Sequence, residues 1–287
     1  MAVSKLETKI KNNEFVITAE IFPPKGVDLS VMFSKVDIIK PYVDAVNVTD
    51  CQRAVMRISS LAVSKLLIDK GVEPVYQLTC RDRNRLALQS DILGAYALGV
   101  RNILIISGDY PTAGDHPDAK PVYDLDTIQL IKTIKDMEQG ADIAGKALKG
   151  SPSFFLGAAI NPSSTPSELA VLTLEKKIKA GAQFFQSQPI FHIQTYLDFK
   201  KSVLFLDSKI IVGVFLLKSY KFAEYISQIP GITIPEDILK RLKSSKDELK
   251  EGIKIAGELV KELKKHAPGV HIMAIGTEQY IPDILSV

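Results

Sequence analysis

The chain has 287 residues, of which 46% are hydrophobic and 24% are charged, a composition typical of a globular protein with a full apolar core. Its 36 Lys and Arg residues nearly balance its 33 Asp and Glu residues, and a net charge of +3 gives no indication of a nucleic-acid partner. The length suits either two domains of about 100–200 residues each or one α/β barrel of about 250 residues.

Signals for disulfides, secretion and membrane insertion are missing from the sequence. Two cysteines, Cys51 and Cys80, are too few for a disulfide framework or a CxxC-type metal site, which fits a reducing compartment. The longest apolar stretch covers residues 210–217, far short of the roughly 20 residues that span a bilayer. The first residues lack the apolar core of a signal peptide. We therefore expect a cytoplasmic protein with no membrane partner.

Short runs of β-branched and aromatic residues recur along the chain and predict eight strands. Most of them are nearly continuous apolar runs, as expected of strands that are covered on both faces in a parallel sheet. The predicted strands are residues 15–21, 45–48, 74–78, 102–107, 153–160, 184–188, 209–215 and 270–275.

Stretches with helical spacing of apolar residues lie between these strands. The predicted helices are residues 56–69, 85–98, 127–137, 168–180, 193–203, 220–226 and 246–265. Gly99 and Gly181 directly follow two of them, where glycine is a C-cap signal. Because no Gly/Ser/Pro-rich linker divides the chain, this alternation predicts an α/β fold, a single (β/α)8 TIM barrel over residues 1–287. A doubly wound sheet is the weaker alternative.

The active site of such a barrel lies at the carboxyl ends of its strands. Glu20 occupies this position in the first predicted strand, just before Pro23 and Pro24. Burying a bare carboxylate is costly, so Glu20 needs a cationic partner or must keep its proton. A carboxylic acid that stays protonated near neutral pH is a candidate general acid. The alternative is a buried ion pair with Arg or Lys from a neighbouring strand.

Further polar residues end other predicted strands. Gly108 allows a ligand to approach the backbone closely, and Asp109 can accept hydrogen bonds from the N–H groups of a heterocycle. The alternative for this pair is an ordinary Gly-Asp turn. Gln186 and Gln188 offer amides that match the edge of a pterin or pyrimidine, or they are hydrogen-bonded amides at a strand end.

Several other features indicate no specific chemistry. The four histidines, among them His271, lack the spacing of metal ligands, so we predict no metal site. The run of residues 81–85 contains three arginines and predicts a solvated helix entrance, or else a phosphate contact. Residues 111–126 predict a long loop, and loops of that length are usually functional. No GxGxxG or GxxxxGK[ST] fingerprint is present.

Taken in order, the strand-end segments resemble the methylenetetrahydrofolate reductase family over essentially the whole chain. The most specific are the Glu-x-Phe-Pro-Pro segment at Glu20, the Gly-Asp-x-Pro segment at Gly108 and AGAQFFQSQP at residues 180–189. The others are QLTC at residues 77–80, GAAINP at residues 157–162, VGVFLLKSYKF at residues 212–222 and GVHIMAIG at residues 269–276.

The resemblance implies a flavoprotein barrel that reduces 5,10-methylenetetrahydrofolate to 5-methyltetrahydrofolate. It implies that Glu20 is the general acid. This acid protonates N10, so that an N5 iminium can accept hydride from the reduced flavin. It places Asp109 between flavin and pterin. It implies that Gln188 holds the pterin and that Tyr220 packs against folate or nicotinamide. The positions that it assigns to the flavin are Thr49, Gln77, Ser107, Gly108, Asp109, Asn161 and Lys177.

The chain departs from the family at the positions that serve the flavin's ribityl, phosphate and adenine portions. Gln77 replaces a usual His, Ser107 replaces a common Arg, and Asn161 opens a segment that usually reads Tyr-Pro-Glu-x-His-Pro. FAD or FMN therefore both remain candidates, as do NAD(P)H, reduced ferredoxin or a partner flavoprotein as electron donor. The resemblance also implies an oligomer. Two alternatives are a folate–corrinoid methyltransferase barrel and a non-catalytic folate-binding subunit.

Overall fold

A computed structural model describes residues 4–229 and 231–287; residues 1–3 and 230 of the predicted domain lie outside this description. Eight parallel strands form a closed barrel in the order β1 to β8, which confirms the predicted (β/α)8 fold. The strands are β1 (Val16–Ile21), β2 (Ala45–Val48), β3 (Pro74–Thr79), β4 (Asn102–Ile106), β5 (Phe155–Ile160), β6 (Phe184–Ile190), β7 (Ile210–Phe215) and β8 (Gly269–Met273).

Helices cover the outside of the barrel. They are α1 (Lys5–Lys11), α2 (Ser30–Ile39), α3 (Ser60–Asp69), α4 (Arg85–Ala97), α5 (Thr127–Glu138), α6 (Ser167–Ala180), α7 (Ile193–Ser202), α8 (Tyr220–Ser227), α9 (Glu236–Ser244), α10 (Glu248–Leu263) and α11 (Ile281–Leu285). None of the helices in the described residues is long and apolar enough to cross a membrane.

The helix predictions differ from the structure at some ends and in number. The helix predicted over residues 56–69 begins at Ser60, because the side chain of Ser59 caps it by accepting a hydrogen bond from the amide of Ala62. The C-cap signals are confirmed, since Gly99 and Gly181 have φ angles of +96° and +116°. Helices α1, α2, α9 and α11 are additional to the predicted ones.

The inside of the barrel changes character from one end to the other. At the amino ends of the strands it is apolar, with Val16, Val75, Phe155 and Phe184 in one cluster beneath Leu6 of α1. Nearer the carboxyl ends, the strands carry the buried polar side chains Thr18, Glu20, Asn47, Gln77, Thr79, Gln186, Ser187 and His271. Side chains of a strand alternate between its two faces, and the outward residues pack with the helices. The polar side chains therefore collect at one mouth of the barrel.

Candidate active site

A cavity of about 1200 Å³ opens at the carboxyl ends of the strands. A single drug-sized ligand occupies about 300–1,000 Å³, so this cavity has room for two flat ring systems side by side. Its polar lining includes Glu20, Asp50, Gln52, Arg53, Arg57, Gln77, Thr79, Arg81, Ser107, Asp109, Gln186, Gln188 and His271. Its apolar lining includes Leu104, Ile106, Ala159, Phe215, Phe222, Ile226 and Ile229.

Glu20 lies inside this cavity and is only 4% exposed. Its Oε1 atom has no hydrogen-bond partner among the described residues, and its Oε2 lies 3.7 Å from Nε2 of His271 on the adjacent strand β8. The Arg or Lys partner considered from the sequence is absent from its ion pairs within the described part of the chain. A buried carboxyl group with one oxygen open to the cavity is placed to exchange a proton with a bound ligand.

His271 connects Glu20 to a buried hydrogen-bond network. Its Nδ1 lies 2.9 Å from Oγ1 of Thr18, which in turn lies 3.5 Å from Nε2 of Gln186. The amides of Gln186 and Asn47 bond to each other reciprocally, at 2.6 and 3.1 Å. Gln186 is thus a hydrogen-bonded amide of the barrel interior, as one of the two sequence interpretations held.

The Thr18 hydroxyl can donate a hydrogen bond to the His271 ring. Thr18 accepts a hydrogen bond from Gln186, so its hydroxyl proton is free to be donated. The nearer acceptor is Nδ1 of His271 at 2.9 Å; the carbonyl of Val270 lies at 3.4 Å. With Thr18 as the donor, Nδ1 accepts and the ring proton lies on Nε2, which faces Glu20.

Gly108 and Asp109 shape the wall opposite Glu20. Gly108 has a φ of +85°, and a Cβ atom there would lie 3.0 Å from the Cβ of Arg81, so the position suits glycine. The Oδ2 atom of Asp109 accepts a hydrogen bond from the backbone N–H of Arg53 at 2.9 Å. Asp109 is exposed in the free protein, and this bond ties the loop after β4 to the loop after β2.

The structure brings most of the predicted site residues to this mouth. Glu20, Gln77, Ser107, Gly108, Asp109 and Gln188 line the main cavity. Thr49 lies just behind it: it is 1% exposed, and its hydroxyl donates to the carbonyl of Ile21 at 3.3 Å. Gln188 is exposed and also lines a second cavity.

The second cavity, of about 520 Å³, adjoins the first along Ala159 and Gln188. Asn161 and Lys177 line it together with the hydroxyl-bearing residues 163–165. The ammonium of Lys177 donates to the carbonyl of Ala159 at 2.6 Å, and burial lowers the pKa of this lysine. Hydroxyl, amide and ammonium donors in one small cavity suit an anionic group such as a phosphate.

Tyr220 lies at the start of α8 and outside both cavities. Its ring packs against the ammonium of Lys243, with Nζ 5.1 Å from the ring centroid. Phe222 and Tyr225 of the same helix line the main cavity instead. The predicted contact of Tyr220 with a ligand therefore requires a change in the position of its side chain.

The arginine run at residues 81–85 differs from its prediction as a solvated helix entrance. The side chain of Arg81 is 2% exposed and bonds to Asp82, and Arg83 bonds to the buried Asp50. Arg85 pairs with Asp124. Because each arginine has a carboxylate partner, the run holds loops together and offers no free charge to a phosphate.

Sequence reasoning missed His271 and Arg53 as cavity residues. His271 faces the barrel interior two residues beyond Gly269, and the register that pairs it with Thr18 is a tertiary property. Its place in a predicted strand was the available signal, since a histidine at an inward position near a strand end faces the site. Arg53 lies in a short 3-10 turn after β2, and no local pattern predicts the orientation of its side chain. The described residues contain no group of three or more side chains that could hold a metal ion.

Buried polar atoms without partners indicate that the cavity receives polar ligands, and its apolar lining tests whether a flavin fits. Besides Glu20 Oε1, the buried atoms Gln52 Oε1 and Arg57 Nε lack hydrogen-bond partners within the described residues, and all three residues line the main cavity. Native proteins leave few buried polar atoms unpaired, so the cluster indicates a polar ligand. The apolar surface of Leu104 and Ile106, beside the Gln77 amide, suits a flat ring system with a polar edge. The residues present therefore fit a flavin.

The sequence is similar to one known protein family over nearly its full length. The family model described as methylenetetrahydrofolate reductase matches residues 5–287. The chain is 24% identical over 260 residues to 5,10-methylenetetrahydrofolate reductase of Escherichia coli strain K12, covering 87% of this chain and 82% of that protein. It is 25% identical over 252 residues to the enzyme of the same name from Buchnera aphidicola subsp. Schizaphis graminum, covering 86% and 80%.

A solved structure with the same fold is an uncharacterized protein from Clostridium thermocellum that binds two copies of 5-methyl-5,6,7,8-tetrahydrofolic acid. The TM-score is 0.71 at 18% identity, with 98% of this chain and 96% of that chain covered. Since the family model spans nearly the full sequence, the chain belongs to the methylenetetrahydrofolate reductase family.

Proposed function

We propose that this protein reduces 5,10-methylenetetrahydrofolate to 5-methyltetrahydrofolate with a bound flavin as the hydride source and Glu20 as the general acid. The observation that carries the proposal is the Glu20 carboxyl group, which is buried at the cavity with Oε1 unpartnered. Family membership supports the same reaction. A bound reduced flavin would supply the hydride that Glu20, as an acid, cannot.

The role of Glu20 is to open the five-membered ring of the substrate. The acid transfers its proton to N10, the bond between N10 and the bridging methylene carbon breaks, and an N5 iminium forms. The methylene carbon of that iminium then takes a hydride and becomes the methyl group. His271 lies 3.7 Å from the carboxylate that remains on Glu20, and its Nε2 proton can stabilise the negative charge there.

The other predicted residues hold the two ligands. Asp109, after β4, and Gln188, on β6, both line the cavity and would present a carboxylate and an amide to the N–H and carbonyl groups of a pterin. The flavin ring would lie near Gln77, Ser107 and Gly108, with Thr49 supporting that wall.

Asn161 and Lys177 would hold the flavin's ribityl and phosphate portion in the second cavity, where the chain has hydroxyl, amide and ammonium donors. This assignment covers FMN and FAD alike, because both carry the phosphate next to the ribityl chain.

The electron donor is NAD(P)H, reduced ferredoxin or a partner flavoprotein subunit. The residues assigned to the flavin ring, Gln77, Ser107 and Gly108, line the same main cavity as the residues assigned to the pterin, so donor and folate would use it in turn. This predicts ping-pong kinetics. We further predict that residues 1–287 form one domain and that the protein is a cytoplasmic oligomer. Size-exclusion chromatography with light scattering measures the oligomeric state.

The first test is the purified protein itself. Its spectrum should show the two visible bands of an oxidised flavin, with release and chromatography separating FAD from FMN. Anaerobic mixing with NADH, NADPH and reduced ferredoxin in parallel then identifies the donor. A colourless protein that also takes up neither FAD nor FMN would overturn the proposal.

A second candidate is a folate-binding protein without catalysis. It is favoured by one observation, the fold shared with a protein that binds two copies of 5-methyl-5,6,7,8-tetrahydrofolic acid. Calorimetry distinguishes the two: a flavin-free protein that binds two folates per chain supports the second candidate. Methyl transfer to an added corrinoid protein would support the methyltransferase alternative.

A further inference from the structure

The loop between β2 and α3 carries two arginines whose charges have no carboxylate partner. This loop, residues 49–59, is called the Arg53 loop below. Arg53 and Arg57 both line the main cavity, and neither forms an ion pair with any described residue. The other cations of the cavity lining are paired, Arg81 with Asp82 and Lys35 with Glu278.

The backbone of the Arg53 loop is held in an unfavourable conformation. Cys51, Arg53 and Ala54 have φ angles of +44°, +55° and +54°, in the left-handed region that side chains other than glycine rarely adopt. Such conformations are strained and persist only where the surroundings fix them; they occur at ligand clamps.

Contacts from the loop after β4 fix this conformation. The carboxylate of Asp109 accepts from the backbone N–H of Arg53 at 2.9 Å, and so engages the main chain of Arg53 rather than its guanidinium. A Cβ atom on Gly114 would lie 1.9 Å from the carbonyl oxygen of Ala54, so only glycine lets the two loops pack this closely. Asp115 Oδ1 accepts from the N–H of Met56 at 3.0 Å.

The fixed loop directs Arg53 across the cavity mouth to α8. Its Nη1 bonds to the hydroxyl of Tyr225, and its guanidinium carbon lies 5.5 Å from the centroid of that ring. Tyr225 in turn stacks on Phe222, with centroids 6.4 Å apart. A neutral phenol leaves the guanidinium charge uncompensated, next to an aromatic wall.

Arg57 lies on the same loop and is half-buried. Its Nη1 donates to the carbonyl of Pro23 at 2.9 Å, and its guanidinium carbon lies 5.9 Å from the ring centroid of Phe22. Its buried Nε has no partner in the described part of the chain. A buried donor without a partner is costly, so the Arg57 guanidinium is suited to binding an anion, as is the unpaired charge of Arg53.

We propose that Arg53, supported by Arg57, binds the carboxylates of the glutamyl tail of the folate. This inference rests on the proposed function only in taking a folate as the ligand. The folate has an aryl group followed by a dicarboxylate. The lining of the cavity offers the aromatic rings of α8 to the aryl group and two guanidinium groups to the carboxylates. Arginine binds carboxylates in a bidentate manner.

The phosphate of a flavin is the other anion with the right chemistry. The donors suited to it lie elsewhere, because Asn161 and Lys177 form the second cavity beyond β5. Arg53 instead spans β2 to α8, the side of the mouth with Phe222 and Tyr225. The position of the guanidinium therefore favours the folate tail.

A ligand series tests this inference without turnover. Calorimetric titrations of wild-type protein, Arg53→Met and Arg53→Lys use 5-methyltetrahydropteroate, which lacks glutamate, and 5-methyltetrahydrofolate with one or three glutamates. We expect Arg53→Met to weaken binding of the glutamylated ligands about tenfold, the value of one charged hydrogen bond. Binding of the pteroate should not change, and Arg53→Lys should retain part of the affinity.

Three controls accompany the series. Arg101→Met removes an arginine at the start of β4, the opposite end of the barrel, and should leave every affinity unchanged. Riboflavin and FMN are titrated against Arg53→Met; a loss confined to FMN would assign the guanidinium to a phosphate and overturn the inference. Circular dichroism verifies folding, and if Arg53→Met fails to fold, the wild-type comparison of pteroate with glutamylated ligands still decides.

Equal affinity of the wild-type protein for the pteroate and the glutamylated folates would also overturn the inference. The proposed function fails separately, through a protein that takes up no flavin. A flavin-free protein that still shows tail-dependent, Arg53-dependent folate binding supports the inference while removing the reductase proposal.

Discussion

The carboxylate of Glu20 on β1 and the imidazole of His271 on β8 face each other across the closing seam of the barrel, with Oε2 and Nε2 3.7 Å apart. Thr18 of β1 and His271 of β8 are 253 residues apart in sequence, yet the two strands pair directly and place these residues opposite each other. His271, the only histidine on a strand of the described barrel, thus lies against the proposed general acid, and its Nδ1 contacts the hydroxyl of Thr18.

Replacement of Glu20 by Gln should nearly abolish folate reduction, by a factor of about 10²–10⁴, because protonation of N10 needs the acid. Flavin reduction by the donor should stay largely intact, since it needs no proton at N10. Stopped-flow absorbance of the flavin measures the two half-reactions separately. Glu14→Gln, an exposed glutamate ahead of β1, is the matched control. Equal loss in both half-reactions would contradict the assigned role.

Replacement of His271 by Gln should slow the folate half-reaction about tenfold and leave flavin reduction unchanged. The variant removes the only ion-pair partner that Glu20 has among the described residues, and a partner of this kind is worth about one hydrogen bond to a charged group. His266→Gln, on an exposed residue after α10, is the control. A wild-type rate in His271→Gln would limit His271 to packing.

Replacement of Asp109 by Asn should weaken folate turnover and shift the flavin's reduction potential, because a negative charge beside both ligands is lost. The variant keeps an oxygen that can accept from the N–H of Arg53, so the loop should keep its position. Steady-state kinetics and a dye-coupled redox titration are the measurements, with the exposed Asp118→Asn as control. An unchanged enzyme would return Asp109 to the interpretation of an ordinary turn.

Replacement of Gly114 by Ala should destabilise the protein by about 1–3 kcal/mol, the usual cost of overpacking. The new Cβ would lie 1.9 Å from the carbonyl oxygen of Ala54 and displace the Arg53 loop. Affinity for glutamylated folates should fall with it. Gly94→Ala in α4 is the control, because its Cβ meets no atom closer than 3.9 Å and alanine favours a helix. Equal denaturation midpoints for both variants would show that the loops adapt.

The Asp115–Lys25 ion pair should make stability pH-dependent in acid. Its hydrogen bonds, chiefly with the ammonium of Lys25 and then with His116 and the N–H of Met56, lower the pKa of Asp115 below its ordinary value of 3.8. A carboxylate with a lowered folded-state pKa contributes stability above the unfolded pKa, and this contribution is lost as the pH falls through the folded pKa.

The melting temperature of the wild type should therefore fall more steeply than that of Asp115→Asn between about pH 4 and pH 2. Lys25→Met removes the principal cause of the shift and should behave like Asp115→Asn. Parallel curves for all three proteins over this range would show that the pair adds nothing to stability.

The sequence by itself determined the barrel and much of its mouth. Continuous apolar runs alternating with helical spacing predicted all eight strands to within a few residues, because strand and helix periods are local properties of the chain. Once the fold was known, residues at strand ends such as Glu20, Gln77 and Asp109 were bound to meet, since the carboxyl ends of all strands face one mouth.

The tertiary structure alone decided which groups contact each other there. The register between β1 and β8 places His271 against Glu20, and pairing across the closing seam depends on the whole barrel. Left-handed backbone angles and close packing on Gly114 orient Arg53, and no local pattern encodes either. Tyr220, chosen by resemblance, lies outside the cavity while Tyr225 lines it, because the rotation of a helix depends on what it packs against.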